Sequence, residues 1–237
     1  MPARFRFRWI PFIAAMTVAA TGISLGQWQM RRADEKKAIE AKLSAREHAP
    51  PVALNAAIAA NDDLEYRRIM VKGEFIRDWP VYLDNRPLNG AAGFYVVMPF
   101  KIAGSDMHLP VVRGWARRDP VDRARLPALT TPDGIIELQG IVVKHPGRLL
   151  QLGRAAPLRP QAIVQNLDLA EFAQASRLTM QPFLLEQQTD THDGLVHDWP
   201  RPSAGIDKHL GYAFQWYALA ATAFIFFIVT GYRRAAR

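Results

Sequence analysis

No cysteine occurs among the 237 residues. Disulfides, thiolate nucleophiles and cysteine-based metal sites are therefore excluded. The seven methionines are scattered rather than clustered, so the sequence gives little support to a Cu(I) carrier, which wants soft ligands. The usual catalytic signatures are missing too: no GxSxG elbow, no HExxH, no Walker loop, no GxGxxG. Internal repeats and low-complexity tracts are also absent. Acidic residues are missing from both tails, and this absence explains the net charge of +8. Arg4, Arg6 and Arg8 precede the first apolar run, and Arg233, Arg234 and Arg237 follow the last. Without those six, 24 basic side chains face 22 acidic ones. A nucleic-acid binder concentrates its cations on the folded domain, so nucleic acid is not an expected partner. Arginines beside an apolar run mark the cytoplasmic flank of a membrane span.

What the sequence does have is two long uncharged runs, residues 9–25 and 210–232. A hydrocarbon core of roughly 30 Å needs about 20 apolar residues to cross it as a helix. The expected layout is a cytoplasmic tail over 1–8, a transmembrane helix over 9–28, a periplasmic α+β domain over 29–208, a second transmembrane helix over 209–232 and a cytoplasmic tail over 233–237. A cleavable signal peptide is the rival reading of the first run, since Ala19, Ala20 and Gly22 offer small residues. The second run would still anchor the chain. Eight residues ahead of the first run are too few for a mitochondrial transit peptide, which favours a bacterial cytoplasmic membrane. The second run puts the C-terminus in the cytoplasm, because an acid-free arginine tail follows it. The first run argues the other way, since Arg31, Arg32, Lys36 and Lys37 outnumber the arginines before it.

Ala15, Ala19, Gly22 and Gly26 fall on one face of the first run, and Gly22/Gly26 is a GxxxG pair. Such a stripe lets another helix approach closely, with the second run as the obvious partner; small residues are also simply common in membrane helices. Residues 29–46 read as a charged helix that ends at Pro50 and Pro51, and residues 54–61 as a short helix. Strands are expected over 67–76, 81–88, 94–102, 109–116, 135–143, 162–167 and 183–188, with a helix over 169–176. Runs of strands with few helices predict an α+β domain with a mainly antiparallel sheet.

Two places could carry chemistry. His192, Asp193, His197 and Asp198 crowd one loop, which reads as a metal site or as a solvated loop. His209 lies at the mouth of the second run and shares a helical face with Tyr212, Ala213, Trp216 and Ala220. An ionisable group at membrane depth is a functional hypothesis, and imidazole is a common axial ligand of haem iron. In that reading Tyr212 and Trp216 flank the macrocycle, while Ala213 and Ala220 leave room for it. The alternative is an interfacial aromatic belt with a histidine reaching water.

Six segments in order resemble the surfeit locus protein 1 family. They are Leu25-Gly26-Gln27-Trp28-Gln29 with Arg32; Tyr66-Arg67-Arg68 with Gly73 and Phe75; residues 93–99; Val112-Arg113-Gly114-Trp115; Leu138-Gln139-Gly140 with Pro146; and His209-Leu210-Gly211-Tyr212-Ala213 with Gln215-Trp216. The resemblance spans nearly the whole chain. It implies a non-enzymatic assembly factor for haem-copper cytochrome c oxidase, acting at the outer face of the cytoplasmic membrane. It implies haem a as cofactor, His209 as the ligand of its iron, and Tyr212 and Trp216 as neighbours. Cytochrome c oxidase subunit I, haem a synthase and the lipid bilayer are the partners implied. Lys208 and Gln215 depart from the mitochondrial-type members, which carry Asn and Thr there. A cofactor-free membrane-anchored scaffold and a membrane-anchored periplasmic enzyme are the alternatives.

Overall fold

The computed structural model describes residues 5, 7–47, 49–54, 64–122, 124–151, 153, 157–200 and 204–233. The expected short helix over 54–61 lies outside them, apart from Leu54. The chain forms two units, Met1–Lys42 with Pro200–Arg237, and Leu43–Trp199.

The first unit is a pair of long helices, α1 (Trp9–Glu47) and α3 (Ile206–Arg233). Each contains a stretch long and apolar enough to cross a membrane. At 1.5 Å per residue, α1 is about 58 Å long, roughly twice the thickness of a hydrocarbon core. Its first half is apolar, and its charged second half continues the same helix without a break. The expected charged helix over 29–46 is thus the second half of α1. Thr17, Thr222 and Thr230 return their hydroxyls to the carbonyl four residues earlier, at 2.8–2.9 Å. Each of these three hydroxyl hydrogens is thus paired within its own helix.

Among the described residues, the second unit holds nine strands and one complete helix. The strands are β1 (Val52–Ala53), β2 (Arg68–Phe75), β3 (Val81–Leu83), β4 (Gly93–Ile102), β5 (Met107–Arg117), β6 (Ile136–Val143), β7 (Ile163–Val164), β8 (Thr179–Met180) and β9 (Leu184–Gln187). The helix α2 (Leu169–Ser176) has the expected bounds, because its ends are written in the sequence. Asp168 accepts the N–H groups of Ala170 and Glu171 at 2.8 and 3.0 Å, and Arg177 closes the helix in the left-handed region. β3 stops short of the expected residue 88, since Asn85 turns the backbone to φ 59°. The strand expected over 162–167 shrinks to β7.

The sheet is mainly antiparallel, as expected, and the parallel pairings are each two residue pairs long. Its closure is a new feature. β2 pairs with both β6 and β4, β4 with β5, β5 with β9, and β9 with β6. Five strands therefore form a ring, which removes most of the exposed sheet edge. Alternate residues fill it: Ile69 and Val71, Val96 and Met98, Leu109 and Val111, Leu138 and Val142, and Leu185 are all buried in one cluster. The opposite face is covered as well. Val81, Leu83, Tyr95, Val97, Val112, Leu184 and Phe172 of α2 make a second cluster. β4 is therefore buried on both faces and reads as a continuous apolar run.

Between Val96 and Val97 the register of β4 against β5 slips by one residue, which leaves Arg113 unmatched. An extra residue inverts the alternation beyond it. Leu109 and Val111 pack into the ring before the slip. After it Ala116 does so, while Trp115 turns to the second cluster.

Candidate functional site

The helix pair holds the residues of interest. α1 presents a stripe of Ala19, Gly22, Gly26, Gln29 and Ala33, all buried, at alternating spacings of three and four. α3 answers with Ala213, Ala220 and Phe227, also buried. The small residues set the closeness of this contact. A Cβ on Gly22 would lie 2.9 Å from the carbonyl oxygen of Trp216 and 3.0 Å from Cβ of Ala220. One on Gly26 would lie 2.5 Å from the ring of Tyr217. The GxxxG pair of α1 is thus a packing face for α3, as its spacing predicts. Phe7 and Phe12 stack against Phe227 at the other end, with ring centroids 6.0 and 5.6 Å apart.

His209 sits in the first turns of α3, half-buried against α1. Its Nδ1 lies 2.7 Å from Oε1 of Gln29, which is 9% exposed. Among the described residues Nε2 has no protein partner. Tyr212 is 53% exposed and Trp216 half-buried, so both rings present surface away from α1. Ala213 and Ala220 do not leave room for a macrocycle between the helices. They are 1% and 6% exposed, and α1 fills the space they would have left. A flat ligand at His209 would therefore lie on the outer side of the pair, against Tyr212 and Trp216. One further group faces this end. Nζ of Lys36 reaches the carbonyl of Ala204, and both Lys36 Nζ and Lys208 Cδ come within 4.0 Å of a Cβ position on Gly205. Two cations thus bracket the turn just ahead of His209.

The loop with His192, Asp193, His197 and Asp198 is arranged differently. Asp193 is buried and pairs with Arg113 at 2.6 Å, its side chain 1% exposed against 0% for the arginine. It also accepts from the hydroxyl of Thr191 at 2.8 Å and the N–H of Leu195 at 3.0 Å. Arg113 donates further to Thr131 Oγ1 and Thr130 O, both at 2.8 Å, and its guanidinium lies 4.6 Å from the centre of the Phe75 ring. Burial pushes the Arg113 pKa down, and the bond to Asp193 opposes it. His192 is exposed and sits 3.1 Å from Asp190, while His197 turns to Gln187. Among the described residues no three such side chains converge as metal ligands. Neither the metal reading nor the solvated-loop reading describes Asp193. It is the counter-ion of a buried arginine.

Two features escaped the sequence reading. An arginine inside the apolar strand 109–116 needs a buried acid, and that requirement pointed to a partner. Gln29, a polar side chain in the seam of two apolar helices, pointed to another polar group across it. Elsewhere, burial pushes the Glu186 carboxyl of β9 up to about 7. Burial, then the charges of Glu65 and Glu186, raise Tyr66; burial, then Glu186, raise Tyr95. Clefts of about 430 and 330 Å³ open on the barrel, but their charged lining residues, among them Glu74, Asp106 and Arg77, stand in solvent.

Comparison with known proteins extends the resemblance across the chain. The model of the SURF1 family matches residues 16–221. A SURF1-like protein of Rickettsia felis is 29% identical over 219 residues, covering 90% of this chain and 92% of the relative. Surfeit locus protein 1 of Rattus norvegicus is 28% identical over 230 residues, covering 89% and 72%. A SURF1-like protein of Drosophila melanogaster is 27% identical over 233 residues, covering 90% and 75%. The matched stretch takes in the small-residue stripe, Gln29, the barrel with its Arg113 and the first part of α3 with His209, and the chain belongs to the SURF1 family.

Proposed function

We propose that this protein is an assembly factor for haem-copper cytochrome c oxidase that binds haem a through His209 and aids its delivery to subunit I. The observation that carries this reading is the imidazole at the edge of the apolar part of α3, with one nitrogen engaged by Gln29 and the other without a protein partner among the described residues. A neutral imidazole nitrogen with a free lone pair is what haem iron takes as an axial ligand. Haem a is the cargo, and the iron supplies the bond to His209. The chain supplies the rest. Tyr212 and Trp216 offer flat apolar surface beside the ligand. Lys208 and Lys36 offer cations for carboxylates, a charge-assisted pairing. The tight α1 and α3 contact holds the backbone that carries all four.

In this reading both tails are cytoplasmic and the barrel is periplasmic, the protein sits in a bacterial inner membrane, and haem a synthase is the source of the cargo. No catalytic step is assigned to the chain. Reporter fusions at Pro51 and after Arg237 test the orientation, and a cytoplasmic signal at Pro51 refutes it. The assembly role is tested in a deletion strain. Active oxidase with its haem should fall without growth being abolished, because a chaperone speeds a step that still proceeds slowly alone. Full oxidase activity and haem content in that strain would overturn the role.

A further inference from the structure

We propose that Gln29 is a positioning residue for His209. Its side-chain carbonyl accepts the Nδ1 proton, holds the ring at the edge of the apolar seam and makes Nε2 the lone-pair nitrogen. The inference rests on the reading of His209 as a ligand and deepens it.

The geometry starts from the helix seam. Gln29 lies one turn beyond Gly26 and one turn before Ala33 on the same stripe. Gly26 is closed against Tyr217, and Ala33 is fully buried. The backbone of α1 is therefore fixed on both sides of Gln29, and its side chain has little freedom to point elsewhere. It meets His209, 180 residues away in sequence, at 2.7 Å. A neutral imidazole has one N–H and one lone pair. A carbonyl oxygen only accepts, so the hydrogen is on Nδ1 and the lone pair on Nε2. An outer hydrogen bond of this kind orients a ligating histidine, fixes its tautomer and raises its basicity. The seam strengthens the effect, since water competes poorly there. The choice of residue is also informative. Glutamate would accept the same proton but would bring a negative charge to membrane depth, which is costly. Glutamine gives the acceptor without the charge.

The test uses the full chain in detergent with ¹⁵N-labelled histidine. His209→Ala identifies the His209 signals among those of the six histidines. In the haem-free protein at neutral to mildly alkaline pH, Nδ1 should carry the proton and Nε2 should be bare. Gln29→Leu should convert this to a mixture of tautomers. Protonated Nε2 in the unaltered chain would overturn the proposal, since Gln29 would then be donating to Nδ1. A titration with haem a supplies the second arm. Gln29→Leu should weaken binding by about ten- to a hundred-fold, while Gln29→Glu should retain it and lower the reduction potential of the bound iron. Haem a bound by Gln29→Leu with unaltered affinity and potential would also overturn the proposal. An unaltered chain with the expected tautomer that binds no haem a would refute the haem reading instead, and the two failures are thereby distinct.

Discussion

The chain buries a polar contact in each of its two units, and the two differ in how far they are satisfied. In the barrel, Arg113 and Asp193 surround one another with donors and acceptors. The carboxylate takes Arg113, Thr191 and the Leu195 N–H, and the guanidinium takes Thr130 and Thr131 besides. In the helix pair, His209 has a partner on Nδ1 and none on Nε2 among the described residues. A buried charge pair survives only when its charged ends are bonded; among the described residues both terminal nitrogens of Arg113 and the Asp193 carboxylate are, with only Nε of Arg113 left over, so the first contact is structural. The second is half-met near the start of α3, and we read that imidazole as a ligand. Arg113 of the first contact and both Gln29 and His209 of the second lie in segments that resemble the family motifs. Membership of a motif therefore does not by itself separate the two contacts.

The comparison is broken most forcefully at Asp193. Asp193→Ala leaves the Arg113 cation buried without its counter-ion, and the expected loss is about 3–5 kcal/mol. Thermal unfolding of the purified full chain measures it. A midpoint unaltered by the substitution would show that Arg113 has another counter-charge and that the contact is not structural. The helix pair is challenged next. Gly22→Leu drives a side chain into the Trp216 carbonyl, which is backbone and cannot swing aside. The expected cost is about 1–3 kcal/mol of helix association, read as loss of an engineered cross-link between α1 and α3. An undiminished cross-link would place the contact face elsewhere.

Glu186 sharpens the contrast, since its carboxyl is buried in the barrel unit without a cation partner among the described residues. Its folded value of about 7 lies above the ordinary 4.5. Between those values the folded chain holds a proton that the unfolded chain releases. Stability must therefore fall as pH rises from about 4.5 to about 7, and then level off. Glu186→Gln removes this slope. Unfolding midpoints at pH 5 and pH 8 should lie closer together in the variant. An unaltered gap would mean that Glu186 is not the group that titrates.

Much of this was legible from the chain. Helix α2 was readable to the residue, and Asp168 just before it is a local capping signal. The small face of α1 was readable as a packing face, since its period is helical. Closure of the barrel was not. It depends on β2 meeting β4 at Gly73–Phe75, a pairing that alternation does not report. The slip at Arg113 was hidden for the same reason, since one extra residue leaves an apolar run looking apolar. In α3, the shared helical face of His209, Tyr212 and Trp216 was legible by spacing. The filling of the space beside Ala213 and Ala220 was not, because it depends on how closely α1 approaches. Gln29 was visible only as part of a motif. Its partner lies 180 residues on, and only the folded pair brings them together.

The central claim is that His209 is an axial ligand. It is tested most directly by the visible absorbance of the full chain, purified from cells able to synthesise haem a, with and without His209→Ala. The account predicts haem a absorbance in the unaltered protein and its loss or shift in the variant, with both proteins retained in the membrane. The same haem with the same spectrum in His209→Ala would contradict it.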